Sequence, residues 1–261
     1  MNMFVQLIVP SFLLPLLLSA VLFGLSRRYP SLRWGLVLIW LPSCFWLVGW
    51  PKPVPEEAND WLWILAILSM GLTVGFMKRE RTSALVQTGL LGLVLIVLAW
   101  PVLRYQLSLD VAVELTAVLF AGAVIFFGTV ANRAATPALT LSISSGGLAL
   151  VTALGGSLLI GQLVGALASV LIVFAVFELY RWLTAQSISL IALTPVIQLY
   201  LALLVIARVY AEIPLLSAGL LLAAPMMGLL LRGRFTIIGT GVCVSAALAW
   251  LLFTADSSSY Y

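Results

Sequence analysis

No histidine occurs anywhere in the 261 residues. That absence removes Ser-His proteolysis, His-ligated haem or zinc, transfer reactions that need an imidazole base, and proton coupling through imidazole. Charge is nearly as scarce, at 8% of the chain. The three aspartates, Asp60, Asp110 and Asp256, form no DxxD-like pair, which leaves an intramembrane aspartyl protease or a magnesium-diphosphate transferase without its carboxylate set. Cys44 and Cys243 each stand alone in an apolar segment. They write neither a disulfide framework nor a CxxC motif and read as small packing residues. No GxxxxGK[ST] or GxGxxG opens a helix. The sequence therefore points away from an enzyme and calls for no cofactor and no metal.

What the chain has instead is apolar length. Hydrophobic residues make up 63% of it and the mean hydropathy is +1.20, far outside the soluble range. The expectation is an all-α integral membrane protein whose surroundings are the lipid bilayer. A helix needs roughly 20 apolar residues to cross about 30 Å of hydrocarbon, and charge or Pro/Gly punctuation divides the chain into ten such runs: 4–25, 34–50, 61–77, 84–103, 111–131, 138–154, 158–177, 187–207, 215–231 and 235–253. The first lacks the basic n-region and cleavage site of a signal peptide and is read as a retained helix. Connections this short leave no room for a soluble domain and force neighbouring helices to run antiparallel, as one compact bundle of about ten short transmembrane helices.

Alternate loops differ sharply in charge. Arg27, Arg28, Arg33, Lys78, Arg79, Arg81, Arg133, Arg181, Arg232 and Arg234 fall on one side, ten of the thirteen basic residues. Lys52, Arg104 and Arg208 fall on the other with most of the acids. The positive-inside rule then places both termini outside, periplasmic if the membrane is a bacterial inner membrane, which short helices and scant loops suit. The excess of basic residues is a topology signal, and no nucleic-acid partner is expected. Trp46, Trp50, Trp61 and Trp63 flank the loop "PKPVPEEAND", as an aromatic belt on the same orientation requires.

The stretch "LTLSISSGGLALVTALGGSLLIGQLVGALASV", residues 139–170, must make an even number of crossings, because Arg133 and Arg181 share a side. Two helices turning at Gly155-Gly156-Ser157 satisfy that. So does a re-entrant pair buried in protein.

Candidate site residues are mostly uncharged. Pro10, Ser11 and Pro15 interrupt helix one; Thr140, Ser142, Ser144, Ser145, Gly146 and Gly147 gather on helix six; Thr194, Pro195 and Gln198 mark helix eight; Pro225 breaks helix nine. Proline frees a helical carbonyl, and freed backbone with hydroxyls can line a midplane substrate cavity. Ser11, Ser142, Ser144, Ser145 and Gln198 are the substrate-binding candidates on that argument. Close helix packing explains the same residues. Asp110 and Glu114, four residues apart on one helix face, are candidates for an outward vestibule or coupling site tuned by Arg104, or an interfacial acidic cluster at a helix N-terminus. Glu178 with Arg181, and Arg208 with Glu212, have helical pairing distance.

Gly161-Gln-Leu-Val-Gly165 and Gly71-Leu-Thr-Val-Gly75 are GxxxG matches, which suit tight helix packing, a homodimer or other membrane subunits. Five helices on each side of residue 132 suggest halves 1–132 and 133–261 related as a 5+5 inverted repeat. Two functions remain in competition. One is a secondary transporter or flippase for a small neutral or amphipathic substrate. The other is a non-catalytic integral subunit of a larger export, envelope-biogenesis or energy-transducing complex.

Overall fold

A computed structural model describes residues 7–52, 55, 57–76, 80–105, 109–131, 137–182, 193–231 and 234–258. Among them are ten α-helices and no strand. Helix α1 opens with a π-helical turn, Val9–Leu13, and continues as Leu14–Arg28; α2 begins as a 3₁₀ segment, Pro30–Ile39, and continues as Trp40–Val48. Then follow α3 (Trp61–Gly75), α4 (Glu80–Tyr105), α5 (Leu109–Ala131), α6 (Pro137–Leu154), α7 (Leu158–Trp182), α8 (Thr194–Tyr210), α9 (Leu215–Leu230) and α10 (Arg234–Ser258). Seven of the ten are long and apolar enough to cross a membrane, and α2, α8 and α9 are shorter apolar helices. This is the architecture of a multi-pass membrane protein.

In the eighth span the described α-helix begins at Thr194, and residues 183–192, with the expected start near 187, lie outside the described part. Thr194-Pro195 therefore starts the helix instead of interrupting it. Proline is pre-organised for a first turn, where its missing N–H has no intrahelical partner to lose. Gln198 sits about 6 Å from the start of the described α-helix, at 1.5 Å per residue.

Helix α8 is the hub. Every residue from Thr194 to Ala207 is buried, and the helix packs against α2, α3, α4, α5, α6, α7 and α9. Its apolar character all round is what a fully enclosed helix needs. The closest pair is α6 with α7, and α6 also packs against α9 and α10.

The α6–α7 hairpin explains the unusual 139–170 stretch. Gly156 has φ +99°, in the region that L side chains avoid. The Ser157 N–H bonds the Thr152 carbonyl at 3.0 Å, closing the helix end in a Schellman arrangement. Both partners are apolar enough, and at 18 and 25 residues long enough, to cross fully. Gly161 permits their approach: a Cβ there would lie 3.0 Å from the Ala153 Cβ and 3.1 Å from the Ala149 carbonyl oxygen. The Gly161/Gly165 motif is thus an intramolecular packing face. Gly71 and Gly75 differ, since nothing lies within 4 Å of a Cβ at either position.

Prolines inside the bundle are matched by hydroxyls from other helices. Pro225 cannot bond the Leu221 carbonyl four residues earlier, and Tyr200 of α8 donates its hydroxyl to that carbonyl at 2.6 Å. Helix α9 therefore runs on through Pro225 instead of breaking there. At Pro15 the corresponding carbonyl is Ser11's. Ser169 Oγ lies 3.3 Å from it and 2.8 Å from the Gly165 carbonyl, so one proton serves both.

Candidate functional site

A cleft of about 270 Å³ opens between α5, α8 and α9. Its walls are apolar: Leu115 and Val118 from α5, Leu204 and Val205 from α8, Leu215 and Leu222 from α9. Gly219 and Ala218 keep the α9 wall low, and a Cβ on Gly219 would meet open space. From Val111 to Val118 the cleft follows α5 for seven residues, about 10 Å at 1.5 Å per residue. One end holds all its charge: Glu114, Arg208 and Glu212.

Arg208 is committed three ways. Its Nε donates to Glu114 Oε2 at 3.0 Å and its Nη2 to Glu114 Oε1 at 2.9 Å, the two-pronged geometry in which Arg–carboxylate pairs are strongest. Its Nη1 donates to the Ile213 carbonyl at 3.2 Å. The side chains are 32% and 21% exposed, so removing one partner costs about 1–3 kcal/mol, between a surface pair and a buried one. The pair ties α5 to the end of α8, and the Ile213 bond fixes the α8–α9 turn.

This overturns the pairing expected between Arg208 and Glu212. Helix α8 ends at Tyr210, so the two residues never share a helical face. Glu212 instead adopts φ +51°, the left-handed region in which a side chain is strained by about 1 kcal/mol or more. Its exposed carboxylate lines the cleft mouth.

Of the residues singled out from sequence as site candidates, only Glu114 lines this cleft. The Asp110 side chain lies outside the described part of the structure, and Arg104 is not among the lining residues. Two of the α6 candidate hydroxyls bond helix carbonyls. Ser144 donates to the Thr140 carbonyl at 2.8 Å and Ser142 to the Ala168 carbonyl of α7 at 3.4 Å. Ser145 Oγ, Ser11 Oγ and both amide atoms of Gln198 are buried without a hydrogen-bond partner. Gln198 is wholly enclosed in α8.

The expected pair of Glu178 with Arg181 falls on a side chain outside the described part. Glu178 is 3% exposed, and its Oε2 accepts the Leu139 N–H at 3.0 Å across from α6. That interaction caps the N-terminus of α6 from a neighbouring helix, where the helix dipole favours a carboxylate.

A polar cluster between α3 and α4 lies outside the candidates read from sequence. Ser69 Oγ donates to Gln87 Oε1 at 2.9 Å, while Gln87 Nε2 donates to the Ser69 carbonyl and to Thr73 Oγ1, both at 2.8 Å. All three side chains are fully buried. The available signal was spacing, since Ser69 and Thr73 are one turn apart and face a lone glutamine in the next helix.

Comparison with protein-family models, curated proteins and solved structures finds no match.

Proposed function

We propose that this chain is a secondary carrier or flippase for small amphipathic molecules, and that the α5/α8/α9 cleft is where it holds them. The observation that carries this reading is the polarity of the cleft: a charged mouth at one end and, beyond it, about 6 Å of apolar wall on α5 (Glu114 to Val118) and on α8 (Arg208 to Leu204). Binding sites of this kind combine an apolar body with a few placed polar groups. A volume of about 270 Å³ suits a single-tailed molecule better than a two-tailed phospholipid. In this account the chain makes ten crossings of a bacterial inner membrane with both termini outside, and the charge asymmetry of its loops puts the mouth at the outer surface.

Reconstituted proteoliposomes test the assignment. Wild type is expected to accelerate transfer of a fluorescent single-chain amphiphile between leaflets. Gly219→Trp, which fills the cleft from an unobstructed position, should abolish that acceleration at unchanged protein content. Equal rates for the two proteins would remove the cleft from the mechanism.

One observation favours the second reading, a non-catalytic subunit of a membrane assembly. The Gly71/Gly75 motif is open, and the exposed Ile67, Leu68 and Val74 lie on the same helix, as a face for another transmembrane helix would be. Purification in mild detergent discriminates: co-purifying polypeptides released by Gly71→Leu support the subunit, and a particle of this chain alone supports the carrier.

A further inference from the structure

We infer that the cleft selects amphiphiles with a cationic headgroup, and that Glu212 is the residue that reads the charge; this deepens the carrier reading and rests on it. Three charged side chains line the mouth, two carboxylates and one guanidinium, so the lining carries one net negative charge. The two signs are not equally available. Arg208 spends Nε and Nη2 on Glu114 and Nη1 on the Ile213 carbonyl. Three of its five N–H donors are used in this way and Glu114 already offsets its charge, so an anionic headgroup gains less from Arg208 than it would from a free guanidinium. Glu212 makes no ion pair or hydrogen bond among the described residues. It is exposed and lines the cleft.

The turn holds Glu212 in place. Ile213 is 1% exposed, its carbonyl is bound by Arg208, and Pro214 precedes α9. The chain beyond Glu212 is therefore anchored, as is Arg208 before it, and its φ of +51° is imposed by the turn. Glycine or asparagine would adopt that conformation more cheaply, so a glutamate there gives up stability for a carboxylate at the mouth. A cation seated against it would lie beside the neutral Glu114–Arg208 pair, with its tail running between Val118, Leu204 and Leu222. At about 270 Å³ the space fits one alkyl chain of moderate length.

The test uses the purified full chain in nanodiscs of zwitterionic lipid and three probes with one tail: decyltrimethylammonium, decyl sulfate and decyl glucoside. Wild type is expected to bind the ammonium saturably, the glucoside more weakly, and the sulfate at least about tenfold more weakly. Glu212→Gln should lower ammonium affinity about fivefold and leave glucoside affinity unchanged. Glu212→Gly should do the same while raising the melting temperature, because it relieves the turn. Gly219→Trp should remove binding of all three.

If sulfate binds as tightly as ammonium and Gly219→Trp blocks both, the charge selectivity is overturned and the amphiphile site stands. If Gly219→Trp leaves all binding intact, or no probe binds saturably, the carrier reading falls and the selectivity with it.

Discussion

Replacing Tyr200 by phenylalanine deletes one oxygen from the middle of the bundle. In the wild type that oxygen donates at 2.6 Å to the Leu221 carbonyl, and both residues are fully buried. The carbonyl has no helical donor because residue 225 is proline. Tyr200→Phe therefore leaves a buried acceptor empty, at about 1–3 kcal/mol. Interhelical hydrogen bonds between membrane helices average only about 0.6 kcal/mol, because the partners find substitutes. Here no substitute exists, so the upper range applies. Pro225→Ala supplies one: the backbone N–H restored at position 225 can bond the Leu221 carbonyl, and losing the tyrosine hydroxyl should then cost about 0.5 kcal/mol. A double-mutant cycle measured by unfolding in mixed decyl maltoside and dodecyl sulfate micelles should give a coupling of at least about 1 kcal/mol. Additive effects would refute the claim that Tyr200 serves the carbonyl freed by Pro225.

Other substitutions probe the packing and the polar interior in the same assay. Gly161→Leu forces a side chain against the Ala153 Cβ and the Ala149 carbonyl and should cost about 1–3 kcal/mol; Gly71→Leu meets open space and should stay within about 0.5 kcal/mol. Equal losses would contradict the distinction between the two GxxxG motifs. Gln87→Leu strips Ser69 Oγ of its acceptor and should cost about 1–3 kcal/mol; a neutral result would show that the α3–α4 cluster contributes nothing. Gln198→Met removes a buried amide with two unpartnered atoms and should raise stability by about 1–3 kcal/mol. A fall in stability would show that the amide has partners in the folded protein.

Helix boundaries were legible because charge and glycine or proline punctuation survive in any apolar sequence: nine of the ten expected spans overlap their helices closely, from Trp61–Gly75 to Arg234–Ser258. The eighth is harder to bound, because Pro195 serves equally as an interruption and as a first-turn residue and residues 183–192 lie outside the described part. Which helix stands at the centre was not legible. Lipid tails are as apolar as a protein interior, so the pattern that tells core from surface in a soluble protein is silent here. Helix α8 reads no more buried than α5, whose Val113 and Phe120 are two-thirds exposed. Small residues gave real information at Gly161, where backbone approaches backbone. At Ser144 they were ambiguous, since a serine bonded to its own helix, as this one is to the Thr140 carbonyl, looks in sequence like a serine waiting for a substrate. The cleft escaped notice because it is made of ordinary Leu and Val, and its ion pair joins residues 94 positions apart.

Photo-crosslinking tests the central claim most directly. A decylammonium probe carrying a diazirine at its tail end is added to the protein in nanodiscs, irradiated, and located by peptide mass spectrometry. The account predicts labelling concentrated on α5, α8 and α9 around Val118, Leu204 and Leu222, and its loss in Gly219→Trp. Labelling spread over exposed apolar positions such as Leu17, Phe235 and Phe253, unchanged by that substitution, would contradict it.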